Sequence, residues 1–234
     1  QDKETFRLKY ISAGPLATPE LSVEQAFDEI IHFAKISRNG LGYAKQAIET
    51  TDEKVFEDMY GKLVKYEEIS DRIEYEIAAF LNGVSAGEVS EATSMKIKAM
   101  YKIIGELESL GDSGESIARI LSRRNSHKKS FDAETIAKLM KVMEAVDQAY
   151  IAMIANLEAA HAGALTQIQN AYDAEEEINT LRNDLREAEI EEIESNTKNY
   201  HTSVYYMDIV SKLEGMGDFI INVSQSLERA FVAK

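Results

Sequence analysis

The sequence predicts an all-α protein of six long helices, arranged as two repeated three-helix bundles. Both prolines, Pro15 and Pro19, come before residue 20, so no later residue is obliged to break a helix. From Leu21 onward, apolar residues recur every three or four positions, which is the period of one helix face. The pattern Leu-Glu-x-Leu/Met-Gly-Asp occurs at residues 107–112 and again at 213–218, an offset of 106 that indicates an internal repeat.

Capping signals place the first two helices. Thr18 as N-cap, with Pro19 at the first helical position, begins helix 1. A Thr-x-x-Glu capping box at residues 50–53 begins helix 2. The Asn-Gly pair at residues 82–83 is expected to end helix 2.

Similar signals place the remaining four helices. A Ser-x-x-Glu box at residues 85–88 begins helix 3, and a polar, basic stretch at residues 122–130 follows it. Asp132 caps helix 4, which is expected to turn into helix 5 near residues 162–164. The Asn-Thr pair at residues 196–197 precedes helix 6.

These elements divide the chain into two repeats. Residues 19–124 form the first three-helix repeat and residues 132–234 form the second. A basic inter-repeat loop, residues 125–131, joins them. Residues 1–18 are interpreted as a linker from a preceding membrane domain that is absent from this chain.

Composition excludes several classes of protein. The 41 acidic residues outnumber the 26 basic ones and give a net charge of −15, which argues against a nucleic-acid binder with its basic patch. The absence of cysteine excludes a disulfide scaffold and any cysteine-based zinc or redox site. No stretch approaches the roughly 18 apolar residues of a membrane span. Because the chain starts at Gln1 rather than Met, one interpretation is a fragment of a longer protein.

The repeated Glu-x-x-x-Asp pairs are the main candidates for chemistry. Glu108 and Asp112 lie on one face of helix 3, as Glu214 and Asp218 do on helix 6. Like charges so placed repel by about 0.2–0.5 kcal/mol, and the mid-helix glycine before each Asp costs about 1 kcal/mol. Such a defect in both halves requires a compensating gain, and a bound Mg, Ca, Mn or iron ion would supply one. A solvated acidic surface is the alternative.

Helical geometry places these side chains outside the bundle core. The pairs on helices 3 and 6 point about 140–180° away from the apolar stripes of those helices. Glu67, Asp71, Glu175 and Asn179, on helices 2 and 5, point about 100–140° away. Any cation site is therefore expected on an outer face, where it would bridge neighbouring helices.

At these residues the sequence resembles the PhoU family, whose signature Glu-Arg-Ile-Gly-Asp is followed by Asn-Ile. Ile117 in the first half and the Asn222-Val223 pair in the second half stand at the places of that Asn-Ile. The resemblance covers nearly the whole chain and implies a fold of two three-helix bundles that carry multinuclear metal clusters, with iron or zinc among the candidates. The metal ligands that it implies are Glu67, Asp71, Glu108, Asp112, Glu175, Asn179, Glu214 and Asp218.

The chain also departs from the family pattern. Asn179 replaces a carboxylate, and Ser116 stands where the second repeat has Asn222. Ser109 and Gly215 occupy the places of the signature arginine. The second half therefore departs furthest from the implied ligand set.

The N-terminal segment resembles one subgroup of the family. It looks like the segment that joins the membrane part of bacterial Na⁺/phosphate cotransporters to their cytoplasmic PhoU-like tail. The similarity lies in residues 8–11 (Leu-Lys-Tyr-Ile), 16–21 (Leu-Ala-Thr-Pro-Glu-Leu) and 24–26. Residues 177–182 also resemble that subgroup. This resemblance implies a regulatory domain at the cytoplasmic face of the inner membrane. Its partner would be a membrane transporter domain on the same polypeptide, and it would regulate phosphate symport without being an enzyme.

A free-standing PhoU-like adaptor is the alternative function, and it would act on a phosphate transporter or a sensor kinase. A second copy of the chain is a further candidate partner. A third hypothesis is a di-iron carboxylate metalloenzyme, since Glu29-x-x-His32 and Glu158-x-x-His161 have the required spacing. Glu29 and His32 are expected to point away from the apolar stripe, however, whereas such an enzyme needs inward ligands.

The sequence contains one cluster of basic residues and lacks a glycine-rich phosphate-binding loop. The basic cluster consists of Arg123, Arg124, His127, Lys128 and Lys129. It is either a solvated connector or a contact for anionic lipid headgroups or for a transporter's cytoplasmic face. No glycine-rich loop suited to phosphate occurs in the sequence, so direct phosphate binding is unsupported.

Overall fold

A computed structural model describes residues 8–11, 14 and 18–232 of the chain. Its six helices are α1 (Pro19–Glu49), α2 (Glu53–Ser85), α3 (Glu91–Ser126), α4 (Ala133–His161), α5 (Gln169–Glu194) and α6 (Tyr200–Phe231). No strand occurs within these described ranges, and the predicted all-α class with six helices is confirmed. The longest helix, α3, has 36 residues and a length of about 54 Å.

The first two helices begin with side-chain caps, one of which differs from the prediction. Thr18 accepts a hydrogen bond from the Leu21 N–H at 3.3 Å, as its predicted role as N-cap of α1 requires. Asp52 caps α2 by accepting from the Lys54 N–H at 2.8 Å, so the predicted N-cap Thr50 is wrong. Thr50 instead accepts the Asp52 N–H at 3.1 Å. A carboxylate suits the positive end of the helix dipole better than a hydroxyl does.

The boundary between α2 and α3 also differs from the prediction. The Asn-Gly pair at residues 82–83 does not end α2, because Val84 is buried against the core and the helix continues to Ser85. The predicted box at residues 85–88 is therefore wrong. Ser90 caps α3 by accepting the Thr93 N–H at 3.1 Å.

The connections of the second half follow the prediction more closely. Residues 122–126 belong to α3 rather than to a loop, which places two arginines in the last turn, where the helix dipole favours cations. Asp132 caps α4 as predicted, and α4 ends at His161 before a turn in which Gly163 adopts φ +71°. Asn199 caps α6, shortly after the predicted residues 196–197.

One connected apolar core includes residues from all six helices. α1 packs against α2, α3 and α4, α2 packs against α3, and α3 packs against α6. α4 packs against α5 and α6, and α5 packs against α6. α5 contributes least to the core, since its buried residues are Ala171, Ile178 and Glu189. The division into repeats at 19–124 and 132–234 stays a prediction, because the core passes between the halves.

The N-terminal segment covers a face of α1 that the periodicity assigned to solvent. Glu29 is fully buried and accepts the backbone N–H of Tyr10 at 2.7 Å and that of Lys9 at 3.1 Å. The expectation that this face of α1 is open to solvent is therefore wrong, because the apolar periodicity of a helix does not reveal contacts made by a preceding segment. Most of the predicted linker, including Leu16 and Ala17, lies outside the described residues.

None of the six helices in the described ranges combines the length and the apolar composition that a membrane crossing requires.

Candidate metal site

Three carboxylates from α2 and α3 meet on the outer face of the bundle. Glu67 and Asp71 lie one turn apart on α2, and Asp112 faces them from α3. One oxygen from each of the three lies within 4.8 Å of the other two. Asp71 and Asp112 are exposed and Glu67 is half-buried. Across the described residues, this is the only such group of three potential metal ligands.

Glu108 lies beside these three residues and completes what we call the first-half carboxylate cluster, Glu67, Asp71, Glu108 and Asp112. Burial raises the pKa of Glu108 to about 9, with hydrogen bonds to Asp71 and Asp112 adding to the effect. Burial and a hydrogen bond to Asp71 raise the pKa of Glu67 to about 7. At neutral pH, protons on Glu108 and partly on Glu67 therefore offset the concentrated negative charge.

No cation among the described residues pairs with this cluster. In the part of the chain that the structure describes, no ion pair involves any of its four carboxylates. Carboxylate oxygens gathered at an accessible surface are ligands that hard cations prefer. The arrangement could therefore hold a metal ion between α2 and α3.

Two further acids near the cluster were missed by sequence reasoning. Burial raises the pKa of Glu74, and the charges of Asp71 and Asp112 raise it further. The charge of Glu115 contributes to the raised pKa of Glu67, although Glu115 also pairs with Arg119 at 2.7 Å. Glu74 follows Glu67 by seven positions on α2, and Glu115 follows Glu108 by seven on α3, so this spacing was the signal that could have identified them.

The repeated glycines let the helices of each half approach closely. A Cβ added at Gly111 would lie 2.5 Å from the Ser70 Oγ, across the α2–α3 contact. A Cβ at Gly217 would lie 2.9 Å from the Ile178 Cδ1, across the α5–α6 contact. Packing therefore supplies a compensating gain for these mid-helix glycines, and their repetition is not by itself evidence of a cation.

The second half supplies its own cation at the corresponding place. Arg182 on α5 pairs with Glu214 on α6 at 3.1 Å, and their side chains are 25% and 19% exposed. Burial and Asp218 raise the pKa of Glu214, while the Arg182 charge lowers it. An offset of 108 residues separates Glu67 and Asp71 from Glu175 and Asn179, and the same offset places Arg182 at the position that corresponds to Glu74.

The remaining predicted ligands of the second half do not complete a carboxylate group. The charge of Glu175 contributes to the raised pKa of Glu214, so Glu175 lies near this pair. The Oδ1 of Asn179 is enclosed and has no hydrogen-bond partner among the described residues. A cation would satisfy such an oxygen, yet the cation present in this half is the Arg182 guanidinium on Glu214. The second half therefore fits a metal less well than the first.

The residues of the di-iron hypothesis are engaged elsewhere. Glu158 pairs with Lys35 at 2.9 Å, and His161 pairs with Asp28 at 2.9 Å. Glu29 binds the backbone of the N-terminal segment. Within the described ranges these side chains do not form one group of ligands.

Two crystal structures of PhoU proteins share this architecture. PhoU from Pseudomonas aeruginosa matches with a TM-score of 0.76 and 11% identity, over 89% of this chain and 96% of that one. The phosphate transport system regulatory protein PhoU from Streptococcus pneumoniae matches with a TM-score of 0.61 and 16% identity, over 89% of this chain and 91% of that one. No family model and no curated protein matches the sequence. The fold is therefore PhoU-like, as the resemblance implied.

Proposed function

We propose that this protein regulates phosphate transport by binding, without catalysing a reaction, and that a metal ion on its α2–α3 face takes part. The observation that carries the proposal is the similarity of fold along nearly the full length of both PhoU chains. One of them is a regulatory protein of a phosphate transport system. A shared fold does not transfer a function by itself, so the carboxylate cluster has to be tested directly.

The first-half carboxylate cluster would hold the metal in this proposal. Asp71 and Asp112 offer exposed oxygens, and Glu67 and Glu108 would exchange their protons for the cation. An all-oxygen set favours Mg, Ca, Mn or iron over zinc, which prefers nitrogen and sulfur ligands. A bound cation would neutralise the cluster and join α2 to α3.

Regulation requires that the protein bind two states of a partner with different affinity. The acidic α2–α3 face could provide this difference, since its charge would change when metal binds. A phosphate transporter or a sensor kinase is the proposed partner, and a second copy of the chain is a further candidate.

Gene deletion with complementation tests this function. In cells that lack the gene, we expect phosphate uptake to become independent of external phosphate, and the wild-type gene should restore the response. The double variant Asp71→Asn/Asp112→Asn should fail to restore it, whereas the matched Glu175→Gln/Asp218→Asn should succeed. Uptake that responds normally to phosphate in the deletion strain would contradict the proposed function.

A membrane-tethered form of the same regulator is a second candidate. It is supported by the resemblance of the N-terminal segment to the joining segment of Na⁺/phosphate cotransporters and by the attachment of that segment to Glu29. The domain would then act on a transporter of the same polypeptide at the cytoplasmic face of the inner membrane. Apolar spans encoded upstream of Gln1 would support this form, and a start codon close to Gln1 would contradict it.

A further inference from the structure

Arg124 is a buried cation that has no charged partner among the described residues. It is 6% exposed and is the one Lys or Arg that is buried among the described residues. Its Nε and Nη2 donate to the Asn125 Oδ1 at 3.1 and 2.8 Å, and its guanidinium lies 4.6 Å from the centre of the Phe131 ring. Within the described ranges, no carboxylate pairs with it. Three of its N–H groups therefore have no acceptor among those residues.

This arrangement is unfavourable in the absence of an anion. Burial lowers the pKa of Arg124, and no acid in the described part of the chain raises it, yet a guanidinium remains charged at neutral pH. Buried charges in proteins are normally paired, because desolvation without a counter-charge is costly. Three groups offset part of this desolvation cost: the side-chain Oδ1 of Asn125, the Phe131 ring and the C-terminal dipole of α3. None of them carries a full negative charge. The chain has 41 acidic residues that could serve as ion-pair partners for an arginine, so the lack of one at Arg124 is unexpected.

A cleft of about 780 Å³ adjoins Arg124. It lies among the C-terminal ends of α1 and α3, the N-terminal end of α2, and residues that lead into α4. Ile48, Phe56 and Phe131 provide apolar wall, while Thr50 and Thr51 provide hydroxyl groups. Both the volume and the mixed lining are typical of pockets for small organic ligands.

We propose that this cleft binds a small organic molecule that carries a single oxyanion, a carboxylate or a phosphate monoester, held by the Arg124 guanidinium. The planar fork of the guanidinium matches two oxygens of such a group. The apolar body of the ligand would pack against Phe56 and Ile48. Nothing in this site overlaps the first-half carboxylate cluster, so the two proposals can fail separately.

The other charges at the cleft limit the ligand to one anionic group. Asp52 also lines the cleft, but its carboxylate is engaged as the N-cap of α2. Glu53 and Glu57 are exposed at the same wall and would repel a ligand of higher negative charge. A nucleoside triphosphate is thus disfavoured, whereas an aromatic or aliphatic monoanion suits both the charge and the walls.

Calorimetric titration with simple probes tests the site. Benzoate and phenyl phosphate represent the two oxyanions, and benzyl alcohol is the neutral control. We expect saturable binding of at least one anion to the wild type and about 10–100-fold weaker binding to Arg124→Met, which loses charge-assisted hydrogen bonds. The exposed neighbour Arg123→Met and the cluster variant Asp112→Asn should bind as the wild type does. Whichever probe binds more tightly identifies the oxyanion, and equal binding by Arg124→Met, or no binding of either probe, would overturn the proposal.

Two measurements separate a binding role from a structural one. Without ligand, Arg124→Met should unfold at the same temperature as the wild type or above it, because an unpaired buried charge has been replaced by an apolar side chain. A marked fall in unfolding temperature would show that Arg124 serves packing, and would count against the site. In the wild type, benzoate should protect Arg124, but not Arg123, from modification by phenylglyoxal as read by mass spectrometry. Loss of that selectivity would also overturn the proposal.

Discussion

The α2–α3 and α5–α6 pairs share a packing plan and differ in how their charges are balanced. Each pair approaches closely at a glycine, Gly111 in one and Gly217 in the other. In the first half, four carboxylates lie close together without an ion pair to any described residue, and bound protons reduce their negative charge. In the second half, Arg182 pairs with Glu214 and provides a permanent cation.

The two halves therefore resemble each other in helix packing and differ in charge. The glycine is present in both because helix contact requires it there. The charge differs at one corresponding position, where the first half has Glu74 and the second half has Arg182. We infer that this position decides which half can take an external cation.

The largest expected effect comes from giving the first half the cation of the second. Glu74→Arg should lower the affinity for Mn²⁺ about 100-fold, because a guanidinium would pair with the carboxylates that bind the metal. Calorimetric titration of metal-free protein measures this change. Glu76→Arg makes the same charge change on another face of α2 and should leave the affinity within about twofold. Equal Mn²⁺ affinities for the two variants would contradict the claim that position 74 decides whether the first half binds a metal.

The next largest effect tests the shared packing. Gly111→Ala should lower the free energy of unfolding by about 2 kcal/mol, because its Cβ would collide with Ser70 across the helix contact. Gly217→Ala should cost less, since the nearest atom to the Cβ would be the terminal methyl of Ile178 at 2.9 Å, whereas at Gly111 the Ser70 Cβ lies at 2.8 Å. Gly215→Ala, where a Cβ meets nothing within 4 Å, should instead stabilise α6 by about 0.5–1 kcal/mol. Urea unfolding measures all three, and a stable Gly111→Ala would disprove the close contact.

The sequence predicted the fold well because the helical signals are local. Apolar periodicity and the absence of proline after residue 19 were sufficient for six helices. Errors occurred where two neighbouring residues could both cap a helix, as Thr50 and Asp52 could at the start of α2. They also occurred where a distant contact decided the outcome, as at Glu29, which is covered by the N-terminal segment.

The site was predictable in part. The spacing of Glu67, Asp71 and Asp112 indicated one outer face, where the structure brings these residues together. The pairing of Arg182 with Glu214 was not predictable, because it depends on how α5 and α6 are rotated against each other. The burial of Arg124 was not predicted either, because its sequence neighbours are basic residues that are typical of an exposed loop.

Removal of the internal cation should have a moderate effect. Arg182→Met leaves Glu214 without its partner and should lower the free energy of unfolding by about 1–2 kcal/mol at pH 8. The loss should shrink at pH 5, because the raised pKa of Glu214 lets it take up a proton. Arg186→Met, an exposed change on the same helix, should have little effect at either pH. A loss that is independent of pH would contradict the role of this ion pair.

The pH dependence of the metal-free protein tests the protonation of the first-half carboxylate cluster. The pKa values of Glu67 and Glu108 are raised to about 7 and about 9 in the folded state, above the ordinary 4.5. The folded state therefore binds more protons than the unfolded state in this window, so stability should fall as pH rises from about 5 to about 9. Glu108→Gln should flatten the upper part of the profile in thermal unfolding, while Glu106→Gln should not. A stability that rises across this window would contradict the assignment.

Metal stoichiometry tests the central claim most directly. Metal-free protein is dialysed to equilibrium against Mn²⁺ or Fe²⁺, and bound metal is measured for the wild type, Asp71→Asn/Asp112→Asn and Glu175→Gln/Asp218→Asn. We predict that the wild type binds metal, that the first double variant loses it, and that the second retains all of it. The claim is contradicted if the wild type binds none, or if the second double variant loses metal as the first does.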